Sequence, residues 1–109
     1  MTVRELASHP DFSPIAMPNP DREVKGAYIG DLLSWVMGRA KADTLWLTIM
    51  SNVNVLAVAS LADVSAVILT EGVTPESDII TAASEKGINL ISTSLPSYGA
   101  TRVLVALGL

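Results

Sequence analysis

Asp21 and Arg22 stand together ahead of a glycine-punctuated segment that runs through Gly26 and Gly30 to Asp31. An arginine offers a planar fork of N–H donors that suits a carboxylate or phosphate, and a neighbouring aspartate can complete a charge pair toward a ligand. The same residues have a plainer use, with Asp21 capping a turn after Pro20 and Arg22 pairing with a local acid. Gly26 meets either a backbone requirement or the close approach of a ligand. Gly30 and Asp31 read as a turn followed by a helix cap. Further along, Ser51-Asn52, Thr70-Glu71-Gly72 and Ser92-Thr93-Ser94 combine hydroxyls, an amide and free backbone N–H groups. Placed at helix N-termini, such groups can hold an anion, or they can cap the helices and do nothing more. Glu71 would oppose a phosphate there.

Catalytic chemistry has less support. His9 is the only histidine and cysteine is absent, which removes thiolate metal sites, cysteine nucleophiles and disulfides, and leaves a Ser-His-Asp triad poorly supported. His9 reads as exposed or packed in a turn. Glu76, Asp78 and Glu85 fall on the solvent face and first turn of one expected helix and do not form a catalytic pair. No Gly-x-x-x-x-Gly-Lys-Ser/Thr phosphate loop is present. The chain is therefore expected to be non-catalytic, with no cofactor and no metal.

The elements that must position these residues follow from apolar period and from caps. Residues 2–8 suit a short amphipathic helix capped by Thr2. Pro10, Pro14, Pro18 and Pro20 punctuate the next stretch of chain, with a short strand expected at 15–17. Residues 24–29 suit a strand bent at Gly26, and Asp31 is the expected cap of a helix reaching to about residue 42. A βα rhythm then begins: strand 45–50, helix 53–62 after Ser51-Asn52, and strand 66–69. Helix 75–86 comes next, capped by Thr74 with Pro75 in its first position, then strand 89–93 and a final helix from Ser94 to Leu107. Successive βα units predict an α/β fold, three layers of helix, mainly parallel sheet and helix. Helix 53–62 is apolar nearly all round and needs a second cover, either a partner chain or the C-terminal helix. Trp35 belongs with the core unless exposed, in which case it marks an interface.

The 109 residues suit one domain spanning 1–109. Half are apolar and only 17% are charged, against about 25% in a typical domain; part of the surface is then expected to be covered in a homodimer. The net charge is −4, and the seven Lys and Arg are scattered singly, so the basic footprint that nucleic acid requires is missing. No apolar run approaches the roughly 20 residues needed to span a bilayer, and the N-terminus has no apolar signal core. A cytoplasmic location is expected.

The segment 21–31 also resembles the signature of the DRTGG domain. Asp21, Arg22, the β-branched Val24, Gly26 and the trailing Gly30-Asp31 carry the match. Val24 or Lys25 stands where a threonine is usual, and Ala27 replaces the second glycine. Downstream, the Leu-Trp-Leu-Thr-Ile strand, the Val-Ala-Val-Ala-Ser-Leu helix and the Ala-Val-Ile-Leu strand are similar to stand-alone members of that family. The resemblance implies a fold like the N-terminal domain of HPr kinase/phosphorylase. It also implies a regulatory, dimerising or interaction module like those attached to some phosphotransacetylases and CBS-containing pyrophosphatases. Stand-alone members resemble proteins encoded near iron-only hydrogenases, which implies a place in redox or central carbon metabolism. An unidentified protein partner, or a small anionic or nucleotide ligand at the carboxyl ends of the strands, completes the expectation.

Overall fold

A computed structural model describes residues 1–109. The first turn of chain is a short helix, α1 (Val3–Ala7), held by a reciprocal cap in which Thr2 accepts from the Glu5 N–H and Glu5 accepts from the Thr2 N–H. Strand β1 (Ser13–Ala16) comes next, then β2 (Ala27–Ile29), α2 (Leu33–Arg39), β3 (Leu45–Thr48) and α3 (Val53–Ala62). The chain ends with β4 (Ala66–Leu69), α4 (Ser77–Glu85), β5 (Leu90–Ser92) and α5 (Ser97–Ala106).

The strands form one sheet in the order β1-β5-β4-β3-β2, parallel from β2 to β5, with β1 antiparallel on the far edge. From β2 to β5 the chain always steps to the next strand in one direction. Right-handed crossovers must then place α2, α3 and α4 on the same face. The side-chain alternation agrees. Trp46, Val67, Leu69 and Leu90 pack with Val36, Val55, Leu56, Ala59 and Ala83 on that face. Leu45, Leu47, Ala66, Ile68 and Ile91 pack with Val3, Leu6, Ala100 and Leu104 on the other. Two apolar layers thus sandwich the sheet, α2–α4 above and α1 with α5 below, which is the three-layer α/β arrangement implied by the βα rhythm. No helix is long and apolar enough to cross a membrane.

Several boundaries differ from the sequence reading. Helix α2 starts one residue later than expected and ends at Arg39 rather than near residue 42, and Asp31 does not cap it; Leu32 occupies the cap position without a side-chain hydrogen bond. Helix α4 begins after Glu76 rather than after Thr74. Proline biases the residue before it toward extended backbone, and the chain stays extended through Glu76. Likewise α5 begins after Pro96, whose ψ of 163° is extended, and not after Ser94. The C-terminal helix does not cover α3, since α5 lies on the opposite face of the sheet. Instead α3 sits between α2 and α4, with Val55, Leu56, Val58 and Ala59 buried and Val53, Ala57 and Leu61 left facing outward.

Candidate functional site

The segment 21–31 crosses the sheet from its amino-terminal end to its carboxyl end, so its residues serve different places. Asp21 and Arg22 do not form one charge pair. Asp21 lies on the surface and takes the Nε of Arg4 at 3.1 Å. Arg22 is largely enclosed, and its guanidinium is already filled by protein oxygens. Nη2 donates to Asp43 Oδ1 at 2.8 Å and to the Asp63 carbonyl at 2.9 Å, while Nη1 donates to Asp63 Oδ1 at 2.9 Å.

Those two aspartates occupy matching positions. Asp43 closes the turn into β3 and Asp63 the turn after α3, both in left-handed backbone, at φ 62° and 56°. Aspartate tolerates that conformation better than most residues. The Asp43 N–H also donates to the Asp63 carbonyl at 3.0 Å, so Arg22 clamps two turns that already touch. Burial by itself lowers the Arg22 pKa, but the hydrogen bonds it donates to Asp43 and Asp63 outweigh this and hold the group above its ordinary value. The Asp43 carboxyl is held below the usual carboxylate range, first by its hydrogen bond from Arg22.

At the carboxyl end of the sheet, Gly30 sits in a crowded place. A Cβ there would sit 3.0 Å from the Tyr28 ring, and the Gly30 carbonyl accepts the Trp46 indole N–H at 2.8 Å. Asp31 ties down the end of β3: its Oδ1 accepts from Thr48 Oγ1 at 2.7 Å and from the Ile49 N–H at 3.1 Å. Thr48 is buried, and without Asp31 its hydroxyl and the first N–H past the strand would lose their acceptor. This explains why the carboxylate serves the strand and not the helix.

Asn52 does cap α3, accepting from the Asn54 N–H at 3.0 Å. Ser51 and Asn52 share a cleft of about 350 Å³ with Val53, Glu76, Asp78 and Ile79, where the N-termini of α3 and α4 meet. Two carboxylates face whatever enters, so this cleft is electrostatically unsuited to an anion. Thr93 is buried and its hydroxyl accepts from the Leu95 N–H, while Ser94 is exposed. Thr70 and Ser97 hydroxyls pair at 3.0 Å. The Glu71 and Gly72 N–H groups are spent on the Leu95 and Thr93 carbonyls. The hydroxyl-bearing turns are therefore brought to one end of the sheet as the topology demands, but mostly bonded to one another. His9 packs in a turn, its Nδ1 accepting from the Asp11 N–H and its ring tilted against Phe12. No group of three or more His, Asp or Glu side chains is gathered to hold a metal ion.

The partners of Arg22 were not visible as such in the sequence. Asp43 and Asp63 look like ordinary turn acids, and only their shared position ahead of an apolar strand hints at a common role. Trp35 is half-exposed, with the Arg39 guanidinium 3.7 Å above its ring.

A model of the DRTGG domain matches residues 22–107. No curated protein matches the chain. Among solved structures, the chain is similar to the CBS and DRTGG domains of the regulatory region of Clostridium perfringens pyrophosphatase, crystallised with the activator diadenosine tetraphosphate. The identity is 18% and the TM-score 0.68; the likeness covers 94% of this chain and 48% of that one, so the chain spans about half its length.

Proposed function

The chain belongs to the DRTGG domain family, and from that premise we propose that it acts as a non-catalytic regulatory or protein-interaction module working as a homodimer. The observation that carries this reading is the outer face of the helical layer. Leu32 and Trp35 on and beside α2, and Val53 and Leu61 on α3, are each more than half exposed, Leu61 at 72%. A chain this poor in charge has little reason to show large apolar side chains on adjacent helices of one layer unless a second surface covers them. A second copy presenting the same face makes a self-complementary two-fold contact. That the target lies in redox, hydrogenase or central carbon metabolism rests on the resemblance alone.

Light scattering coupled to size exclusion at micromolar concentration tests the dimer. The wild type should run as a dimer and Leu61→Glu as a folded monomer with an unchanged circular dichroism spectrum, because the side chain is largely exposed on its own subunit. A wild-type monomer sinks the reading.

A second reading is a sensor of a small anionic or nucleotide ligand whose binding shifts dimer geometry. It is favoured by the nucleotide-activated regulatory region to which the fold is similar. A thermal-shift screen against nucleotides and phosphorylated metabolites tests it, and a flat response across the panel counts against it.

A further inference from the structure

Three of the seven cations of this acidic chain, Lys25, Arg39 and Lys41, line a single cleft of about 340 Å³ at the amino-terminal end of β2 and β3. No aspartate or glutamate lines it. Neither Arg39 nor Lys41 is paired with any carboxylate, and Lys25 reaches only Asp43, at 3.8 Å, which is already taken by Arg22 at 2.8 Å. The Arg39 guanidinium carbon sits 3.7 Å over the Trp35 ring, a cation–π contact that steadies the group and leaves its N–H donors available. A helix C-terminus attracts one cation, which accounts for Arg39 at the end of α2, but not for Lys25 from the opposite wall.

Gly26 supplies a second, independent observation. Its φ is not positive, and a Cβ would rest 3.7 Å from Thr44 Cγ2, an ordinary contact. The fold therefore does not need glycine at this position. Its carbonyl accepts from the Leu45 N–H, yet its own N–H enters no backbone hydrogen bond. A glycine that the fold does not require, with a spare N–H, set beside two unpaired cations and a loosely paired third, is explained by something anionic coming close to the backbone. The half-buried Tyr28 ring forms an apolar wall of the same cleft, and the volume lies in the range of small-ligand sites. By contrast the cleft at the carboxyl ends carries Glu76 and Asp78.

We propose that the Lys25–Gly26–Arg39–Lys41 cleft binds a phosphate-bearing small molecule, its phosphate groups held by the three cations and the Gly26 N–H. The proposal rests on the anion-sensing reading above and gives it a place opposite to the one expected from the strand ends. Calorimetric titration of the full chain with inorganic pyrophosphate, ATP and diadenosine tetraphosphate, with adenosine as uncharged control, tests it together with backbone amide shifts. At least one of the phosphate probes should bind and adenosine should not, and the amide shifts should centre on 25–28 and 39–44. Lys41→Glu and Gly26→Val should each weaken binding roughly tenfold or more at unchanged melting temperature, the scale of one lost charge-assisted contact. Binding of none of the probes overturns the cleft and the anion-sensing reading together. Binding whose shifts centre on Ser51, Asn52, Thr93 and Ser94, and which Lys41→Glu leaves intact, overturns the cleft alone and leaves anion sensing standing.

Discussion

Arg22 reaches Asp43 at 2.8 Å while its other nitrogen holds Asp63 at 2.9 Å, so one side chain from the segment before β2 fastens the turns that enter β3 and β4. Three adjacent strands are brought into step at their amino-terminal ends by one planar group. This gives the arginine of the signature a reason that lies in the fold, at the opposite end of the sheet from the hydroxyl-bearing turns that the sequence offers as an anion site.

Arg22→Ala should therefore act on stability first. Three charge-assisted hydrogen bonds are lost, but Asp63 is well exposed and rehydrates easily, so the cost is about 1–2 kcal/mol. In a domain of this size each kcal/mol lowers the melting temperature by roughly 4–8 °C. Arg22→Lys should recover little, since a single ammonium cannot span two carboxylates and a carbonyl in one plane. Urea denaturation of the three proteins checks both statements; a fully stable Arg22→Ala protein contradicts the clamp.

The same pair sets an acid limit. The Asp43 carboxyl titrates below its ordinary value when folded, with the hydrogen bond from Arg22 as the first cause. A depressed carboxylate contributes stability that is present above its unfolded pKa of about 3.9 and is lost as pH falls through the folded value. Arg22 stays charged throughout. The stability gap between wild type and Asp43→Asn should hence be constant from neutral pH down to about pH 5 and shrink below pH 4. Unfolding midpoints at pH 7, 5 and 3 measure it, and a gap that is flat across all three is the contrary result.

Much of the architecture was legible because it rests on local signals. The continuous apolar run 66–69 is a strand buried on both faces, and Asn52 before an apolar decapeptide is a cap followed by a helix. Thr2 ahead of a short amphipathic turn is likewise a cap followed by a helix. The departures also began from local signals, but tertiary partners overrode them. Asp31 has the right residue type for a helix cap, yet a strand end lying beside it in space, seventeen residues on in the chain, claims its carboxylate. The site suffered more. The Arg22 clamp joins residues from three separate segments and the basic cleft from two, and nothing in a linear reading says that Lys25, Arg39 and Lys41 line one cleft.

The Asp31 assignment can be separated from a capping role by substitution. Asp31→Ala removes the acceptor of the buried Thr48 hydroxyl and of the Ile49 N–H and should cost about 1–2 kcal/mol. Asp31→Asn keeps a carbonyl oxygen in that place and should recover most of the loss. Amide exchange gives the sharper readout. If Asp31 anchors β3, the Ile49 amide exchanges faster in the alanine protein while those of residues 34–36 do not; acceleration confined to the start of α2 would restore the capping role.

Asn89 is buried where β5 begins, and its side chain joins two otherwise distant pieces of backbone. Nδ2 donates to the Asn19 carbonyl at 2.6 Å and the Ser65 carbonyl at 2.9 Å, and Oδ1 accepts from the Asn19 N–H at 2.9 Å. The proline-punctuated segment before Arg22 is thus pinned to the sheet through one amide. Asn89→Ala leaves those three groups without their partner in a poorly hydrated place, which should cost roughly 2–4 kcal/mol. Asn89→Asp matches the shape but turns an acceptor toward two carbonyl oxygens, so at neutral pH it should be at least as damaging as alanine. Denaturation midpoints rank the pair, and faster exchange of the Asn19 amide in both shows that the loss is at this contact. A harmless Asn89→Asp would mean that the Asn19 segment is held by its prolines and not by Asn89.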